Sequence, residues 1–174
     1  MRTFILLSSS LLIFASCSKN EPQTKTPVAT SYNGAEGDEW AGTYLIKISE
    51  NAHSGKAVAF INSSDVFSLQ YLKSLENISK TKIDSVVFSY WMFFRNEKAS
   101  AKTVISIDKP DNTKNLLWVG NPVEQKVKEY NKWIYISETF KVPSGLDPKS
   151  IVKLYVLNTS KEEILLDDMK VNFY

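Results

Sequence analysis

The sequence lacks several features that would point to particular functions. Its 174 residues include one cysteine and one histidine, so no internal disulfide can form and no set of thiolates is available for a structural zinc ion. The 21 basic and 19 acidic residues nearly cancel and are interspersed, which argues against a nucleic-acid-binding protein. There is no glycine-rich phosphate loop, and no apolar run after the N-terminal segment is long enough to cross a membrane.

The N-terminal segment has the pattern of an export signal. Arg2 supplies a positive charge, and the apolar run from Phe4 to Ala15 is broken only by three serines. The run ends in Phe14-Ala15-Ser16-Cys17, which resembles the bacterial lipobox, where small residues precede a cysteine that becomes lipidated. The resemblance implies a lipid anchor on Cys17, and the alternative is an ordinary signal peptide with an incidental cysteine.

Three segments follow from this pattern. Residues 1–16 are the predicted signal peptide, and residues 17–31 are the lipidated cysteine and a polar, flexible tether. Residues 32–174 have the length of one ordinary domain. Ser18 to Glu21 loosely resembles the surface-export tag of Bacteroidetes lipoproteins, so we expect attachment to the outer membrane, facing the periplasm or the cell surface.

The domain has the pattern of successive β-strands separated by turn residues. One segment, 67–78, has leucines at three-residue spacing and is predicted as a helical turn. Short alternating or β-branched runs predict strands at 43–48, 56–61, 83–94, 103–108, 116–119, 133–142, 151–157 and 164–173. Such a helix-poor chain is typical of an all-β protein, and we predict a jelly-roll β-sandwich.

Four segments in order are similar to motifs of the galactose-binding-like jelly rolls, the fold of many carbohydrate-binding modules. They are Ala52–Val58, Val87–Met92, Lys132–Tyr135 with Phe140–Pro143, and Ile164–Val171. The resemblance extends over about residues 35–174 and implies the same fold. It does not specify a ligand, since the fold also serves adhesion and accessory roles.

The pair Asp167-Asp168 lies in the last predicted strand. Strict alternation places Asp167 on the side of Leu165, Met169 and Val171, where a buried carboxylate requires a partner. Related domains often hold a structural calcium ion at the edge of a sheet. The matching oxygen donors here would be Glu36, the backbone around Gly55, and Asp167 or Asp168. Alternatively, one aspartate caps a turn or pairs with a lysine and the other is solvated.

Aromatic side chains are the second candidate group. Sugar binding requires flat apolar surfaces beside polar groups that can hydrogen-bond hydroxyls. The strand patterns predict a platform formed by Trp91, Trp133 and Tyr135. The candidate polar partners are Arg95, Asn121 and Glu138, and the candidate rim residues are Trp118 and Tyr71. The alternative is that these aromatic residues belong to the core.

The sequence gives no sign of an enzyme. No cysteine nucleophile or G-x-S-x-G serine motif accompanies His53, and the family resemblance implies that this residue has a structural role in a turn. We therefore predict a membrane-anchored lipoprotein with a non-catalytic carbohydrate-binding module. The alternative is an envelope lipoprotein that uses the sandwich to bind protein partners or to build a structural assembly. Solvent-exposed aromatic residues beside polar groups would favour a glycan.

Overall fold

The computed structural model describes residues 25–37 and 39–174, so the predicted signal peptide and Cys17 lie outside the described residues. The described chain forms two antiparallel β-sheets. Its ten strands are β1 (Ala29–Asn33), β2 (Ile46–Ile48), β3 (Ala57–Ile61), β4 (Tyr71–Ser74), β5 (Ser85–Phe94), β6 (Ala101–Asp108), β7 (Asn115–Pro122), β8 (Trp133–Lys141), β9 (Ile151–Asn158) and β10 (Ile164–Phe173). One helical turn, α1 (Leu75–Ile78), follows β4.

The two sheets have six and four strands. The six-stranded sheet has the order β2-β3-β10-β5-β8, and β1 pairs with the second half of β10 while β3 pairs with the first half. The four-stranded sheet has the order β4-β9-β6-β7. Both sheets contribute to one hydrophobic core, which therefore lies between them. The predicted all-β sandwich is confirmed.

Alternation along the strands builds this core. In β5, the residues Phe88, Tyr90, Met92 and Phe94 are all at most 1% exposed and face the four-stranded sheet. Full burial of each such side chain stabilises the fold by roughly 1.5–3 kcal/mol. The buried hydroxyl of Tyr90 lies 2.5 Å from Thr103 Oγ1, so its polar atom has a partner inside the core.

Three segments differ from the sequence prediction. The first strand begins at Ala29, inside the segment predicted as a tether, because the polar run Ala29–Asn33 is paired along β10. Thr43–Leu45 forms a 3₁₀ turn, so only Ile46–Ile48 of the first predicted strand is a strand. Of the predicted helical segment 67–78, only Leu75–Ile78 forms a helical turn, and Tyr71–Ser74 is β4 instead. Tertiary pairing with β9 overrides the leucine spacing there.

A bulge in β10 reverses the predicted sidedness of Asp167. The register of β10 against β5 shifts between Asp167 and Lys170, and Asp168 has a φ of 49°. Before the bulge, Asp167 pairs with Trp91, so both side chains lie on the outer side of the six-stranded sheet. The prediction that Asp167 shares a face with Met169 and Val171 was therefore wrong. The carboxylate is nevertheless fully buried, beneath the loop that joins β2 to β3.

Within residues 25–37 and 39–174, no helix is long and apolar enough to cross a membrane.

Candidate functional site

Each sheet has an outer face that carries aromatic side chains. We call the outer side of the β4-β9-β6-β7 sheet the four-stranded face and the outer side of the other sheet the six-stranded face. The strand registers determine the members of each face, because residues that pair across antiparallel strands project to the same side. The two faces differ in how much aromatic surface is left open.

The four-stranded face has an open tryptophan on its edge strand β7. Trp118 on β7 is 47% exposed, and its indole leans over the backbone of Gly120. Its Nε1 donates a hydrogen bond of 3.2 Å to the hydroxyl oxygen of Tyr155 on β9. Phe67 packs edge-on against Tyr155, with the ring centroids 5.5 Å apart. Trp118, Tyr155 and Phe67 thus form an aromatic row across the sheet.

Polar groups lie beside the aromatic row. Lys153 Nζ lies 2.8 Å from Asp108 Oδ2, and Asn115 Nδ2 donates to Asp108 Oδ1 at 2.8 Å. Burial works against ionisation of Asp108, but the hydrogen bonds from Lys153 and Asn115 outweigh it and hold the pKa of Asp108 below its usual value. The Nζ of Lys102 lies 5.9 Å from the ring centroid of Trp118. The face therefore combines a flat apolar surface with fixed donors and acceptors.

The six-stranded face holds the predicted platform. Trp91 and Tyr135 lie 5.5 Å apart between ring centroids, and Trp133 lies on the same strand face as Tyr135. His53 stacks on Trp91 with a centroid distance of 4.0 Å and contacts Trp133 edge-on at 5.7 Å. The structure thus brings the three residues together, but the loop residue His53 covers Trp91. Tyr135 is the most open of them, at 55% exposure.

The predicted polar partners do not all reach this platform. Arg95 lies near the Phe93 ring, 6.0 Å from its centroid, and 3.6 Å from Glu163 on the same side of the molecule. Asn121 and Glu138 belong to the inner sides of β7 and β8, where Asn121 Nδ2 donates to Glu138 Oε2 at 3.1 Å. Lys126 also contacts Glu138, at 2.5 Å. This pair closes the edge between the sheets and is not beside Tyr135.

The two predicted rim residues have different locations. Trp118 lies on the four-stranded face, on the other side of the sandwich from Trp91. Tyr71 is 3% exposed and packs in the core against Trp40 and Phe173, with centroid distances of 5.6 Å and 5.4 Å. Burial raises the pKa of Tyr71 to about 12. The placement of Tyr71 at a rim was therefore wrong, because its strand turns the ring inward.

Comparison with known proteins identifies the fold. No protein-family model matches the sequence, and no curated protein is significantly similar to it. Among solved structures, the CBM22-2 xylan-binding domain of Paenibacillus barcinonensis Xyn10C matches with a TM-score of 0.53 at 14% identity, covering 82% of this chain and 91% of that domain. This chain is built as a jelly-roll β-sandwich.

Two longer structures give the same result. The CBM22-1–GH10 modules of Clostridium thermocellum xylanase 10B, complexed with xylohexaose, match with a TM-score of 0.51 at 13% identity over 87% of this chain. The CBM22-1–CBM22-2 tandem of the Paenibacillus barcinonensis protein matches with a TM-score of 0.53 at 16% identity over 86% of this chain. The chain spans only 27% and 47% of these two structures. Likenesses at such identities confirm the predicted jelly roll and concern the fold alone.

The residues proposed for a calcium ion do lie together in this jelly roll. Asp167 Oδ2 accepts hydrogen bonds from the backbone N–H groups of His53 and Ser54, at 2.9 Å and 3.1 Å, and Asp167 Oδ1 accepts from the Asp168 N–H. Glu36 Oε1 accepts from the N–H groups of Lys56 and Ala57. We call this arrangement of Glu36, the 53–57 turn, Asp167 and Asp168 the carboxylate turn.

Asp168 completes the carboxylate turn. Its Oδ1 accepts from the hydroxyls of Tyr32 and Ser54, and its Oδ2 lies 2.6 Å from His53 Nδ1. The bond to Asp168, with burial, raises the pKa of Tyr32 to about 12. Burial raises the pKa of Asp167, against its hydrogen bonds, whereas for Asp168 the bonds from Tyr32, Ser54 and His53 outweigh burial and lower the pKa.

The carboxylate turn as it lies does not fit a calcium site. Of its carboxylate oxygens, Glu36 Oε2 alone accepts no hydrogen bond from the described residues, and the others face N–H or O–H groups. A calcium ion would have to compete with those donors for the carboxylate lone pairs to reach its six to eight oxygen ligands. No group of three or more acidic, histidine or cysteine side chains in the described chain is arranged to hold a metal ion.

Sequence reasoning missed part of the four-stranded face. Tyr155, Phe67 and Lys102 were not among the candidates, although Tyr155 alternates with Val152, Leu154 and Val156 in β9 and so had to point outward. What the sequence could not show was which strands neighbour β7. The pairings of β6 with β7 and with β9 bring Tyr155 beside Trp118.

Proposed function

We propose that the domain binds carbohydrate without catalysing a reaction, and that the four-stranded face is the binding surface. The observation that carries this proposal is the half-exposed indole of Trp118, held along the sheet by Gly120 and by the hydrogen bond to Tyr155. A flat ring fixed in this way offers its face to the C–H groups of a sugar ring and loses little side-chain entropy on binding.

The polar groups around Trp118 supply what an aromatic surface alone does not. Sugars present many hydroxyls, and each one removed from water needs a partner. The Lys153–Asp108–Asn115 network offers both donors and acceptors. It lies on the same face as the aromatic row, with Lys153 two residues before Tyr155 on β9. No nucleophile or general base is needed for such a role. The six-stranded platform of Trp91, Trp133 and Tyr135 stays a prediction, and the experiment below separates the two faces.

The relatives in fold suggest which glycans to test first. Two of the similar structures are described as xylan-binding or as complexed with xylohexaose. Because that likeness concerns the fold alone, xylan is the first member of the test panel and not an assigned ligand. The panel also includes β-glucans, mannans and pectins.

The decisive experiment is affinity electrophoresis and calorimetry of residues 25–174 on this panel, with Trp118→Ala and Tyr135→Ala compared. These variants remove an exposed aromatic ring from opposite faces of the sandwich, so each is the control for the other. We expect Trp118→Ala to weaken binding at least about tenfold, equivalent to 1.4 kcal/mol, and Tyr135→Ala to leave it unchanged. The reverse result would move the site to the six-stranded face.

A second candidate function is protein binding, and one observation favours it. Leu72 and Phe67 are 48% and 47% exposed, and Leu72 continues the apolar surface of the aromatic row toward the β4 edge of the sheet. A partner protein would bury these side chains as well as Trp118. If no glycan in the panel binds, Leu72→Ala and Phe67→Ala become the variants to test against envelope-protein partners.

We also propose that the domain is exported and anchored to the outer membrane through a lipid on Cys17. The support is the lipobox-like sequence before Cys17. The test is metabolic labelling of the full chain with radioactive palmitate in the wild type and in Cys17→Ser. We expect label only in the wild type, and sedimentation of the wild type alone with membranes; equal labelling of both would exclude this anchor.

A further inference from the structure

Two lysines on the four-stranded face differ in whether a carboxylate neutralises their charge. Lys153 pairs with Asp108 at 2.8 Å and also donates to Asn112 Oδ1 at 3.2 Å. Lys102, in contrast, has no carboxylate within 4 Å among residues 25–37 and 39–174. Its side chain is half-buried, and its ammonium group lies 5.9 Å from the Trp118 ring centroid. The aromatic row therefore has one uncompensated positive charge at its side.

The position of Lys102 is fixed by the sheet. Lys102 pairs with Pro122 on β7 and with Leu157 on β9, so its side chain rises from the outer face two residues along β6 from Val104. Val104 is itself flanked by Gly120 and Tyr155, the two neighbours of the indole. A sugar stacked on Trp118 would thus have the Lys102 ammonium group at the margin of its ring.

From this we propose that the four-stranded face selects glycans that carry carboxylate groups, that is, polysaccharides with uronic acid residues or side groups. This selectivity rests on the proposed carbohydrate binding at Trp118. A sugar carboxylate would supply the counter-charge that Lys102 lacks in the protein. A charge-assisted hydrogen bond to a partly desolvated ammonium group is stronger than one between a neutral hydroxyl and the same group. Lys153 cannot serve this purpose to the same extent, because Asp108 already neutralises it.

The competing explanation is structural. A lysine near the face of an indole is attracted by the ring quadrupole and could simply hold Trp118 in place. That explanation predicts that loss of Lys102 weakens the binding of neutral and acidic glycans equally. Selectivity for carboxylates predicts that only the acidic glycan is affected, so the two can be separated by paired ligands.

The experiment uses two ligand pairs of matched chain structure: 4-O-methylglucuronoxylan and polygalacturonate, each native and with its carboxyl groups reduced to hydroxymethyl groups. Binding to the domain is measured by calorimetry at low salt and at about 0.5 M NaCl, where exposed charges are largely screened. The variants are Lys102→Met, Lys102→Arg and Lys170→Met. Lys170 is an exposed lysine on β10, away from the four-stranded face, and its replacement makes the same change in net charge.

We expect at least one native glycan to bind about fivefold more tightly than its reduced form at low salt, which is the upper range for an exposed ion pair. High salt and Lys102→Met should each abolish the difference, while Lys102→Arg and Lys170→Met should retain it. Equal affinity for native and reduced forms, with binding still dependent on Trp118, would overturn the selectivity and leave carbohydrate binding intact. Equal weakening of both forms by Lys102→Met would assign Lys102 to the support of Trp118. If nothing in either pair or in the glycan panel binds, both proposals fail.

Discussion

The Trp118 indole occupies the space that a side chain at Gly120 would need. A Cβ built at position 120 would lie 2.5 Å from the far end of the indole ring, closer than real contacts of this kind come. Gly120 follows Trp118 by two residues on β7, so both lie on the outer face. The glycine thus lets the ring lie along the sheet beside Tyr155, where the hydrogen bond to the tyrosine hydroxyl fixes it.

The first prediction is that Gly120→Ala displaces the indole and weakens glycan binding without unfolding the domain. The clashing atoms are the far end of a side chain that can rotate, so the free energy of unfolding should change by no more than about 1 kcal/mol. Binding should fall nearly as far as in Trp118→Ala. Calorimetry and tryptophan fluorescence measure the two effects. Gly37→Ala is the matched control, because a Cβ there would meet nothing within 4 Å; unchanged affinity in Gly120→Ala would show that the ring orientation does not matter.

The second prediction concerns the buried carboxylate of Asp167. Its two oxygens accept three backbone N–H groups, and the side chain is fully buried. Asp167→Asn replaces one acceptor with an N–H₂ group that would face these donors, so it should lower the free energy of unfolding by about 1–3 kcal/mol. Urea unfolding of both proteins gives the value. An unchanged stability would show that the asparagine amide satisfies these backbone donors as well as the carboxylate does.

Asp167 also shows how much of the fold can be predicted from the sequence. Alternating strands were enough to predict a β-sandwich, and β5 and β8 have the faces that their sequences indicate. The sequence could not show which side chains of β10 face the core after Asp167, because a bulge shifts the register and Asp168 adopts a left-handed conformation. Nor could the sequence place Trp118 at the end of an aromatic row with Tyr155 and Phe67. That row depends on pairings between β7, β6 and β9, which are properties of the topology.

The third prediction is that the ionisation of Asp108 makes the stability of the fold depend on pH. The pKa of Asp108 is lower in the folded protein than in the unfolded chain, so the unfolded state binds more protons in acid and stability rises with pH. The contribution of Asp108 is complete above the unfolded value of about 3.9 and is lost as the pH falls through the folded value. Asp108→Asn should therefore cost about 1 kcal/mol at neutral pH and less near pH 2.

Thermal unfolding between about pH 2 and pH 7 measures this difference. The control is Glu97→Gln, which removes an exposed carboxylate that makes no hydrogen bond or ion pair with the described residues. The gap between wild type and Asp108→Asn should narrow in acid, whereas the gap for Glu97→Gln should stay near zero throughout. A gap for Asp108→Asn that is independent of pH would show that its ion pair with Lys153 does not stabilise the fold.

The fourth prediction is that calcium does not stabilise the carboxylate turn, although the family resemblance suggested a calcium ion there. Protein N–H and O–H groups already face the oxygens of Asp167 and Asp168, and Glu36 accepts two backbone hydrogen bonds. A ligand present at 100 times its Kd stabilises a fold by about 2.7 kcal/mol, which would raise Tm by several degrees in a domain of this size. We expect Tm to be the same within about one degree in EDTA and in millimolar CaCl₂. A rise in Tm with calcium that disappears in Glu36→Gln would instead show that the ion displaces these donors and binds at the turn.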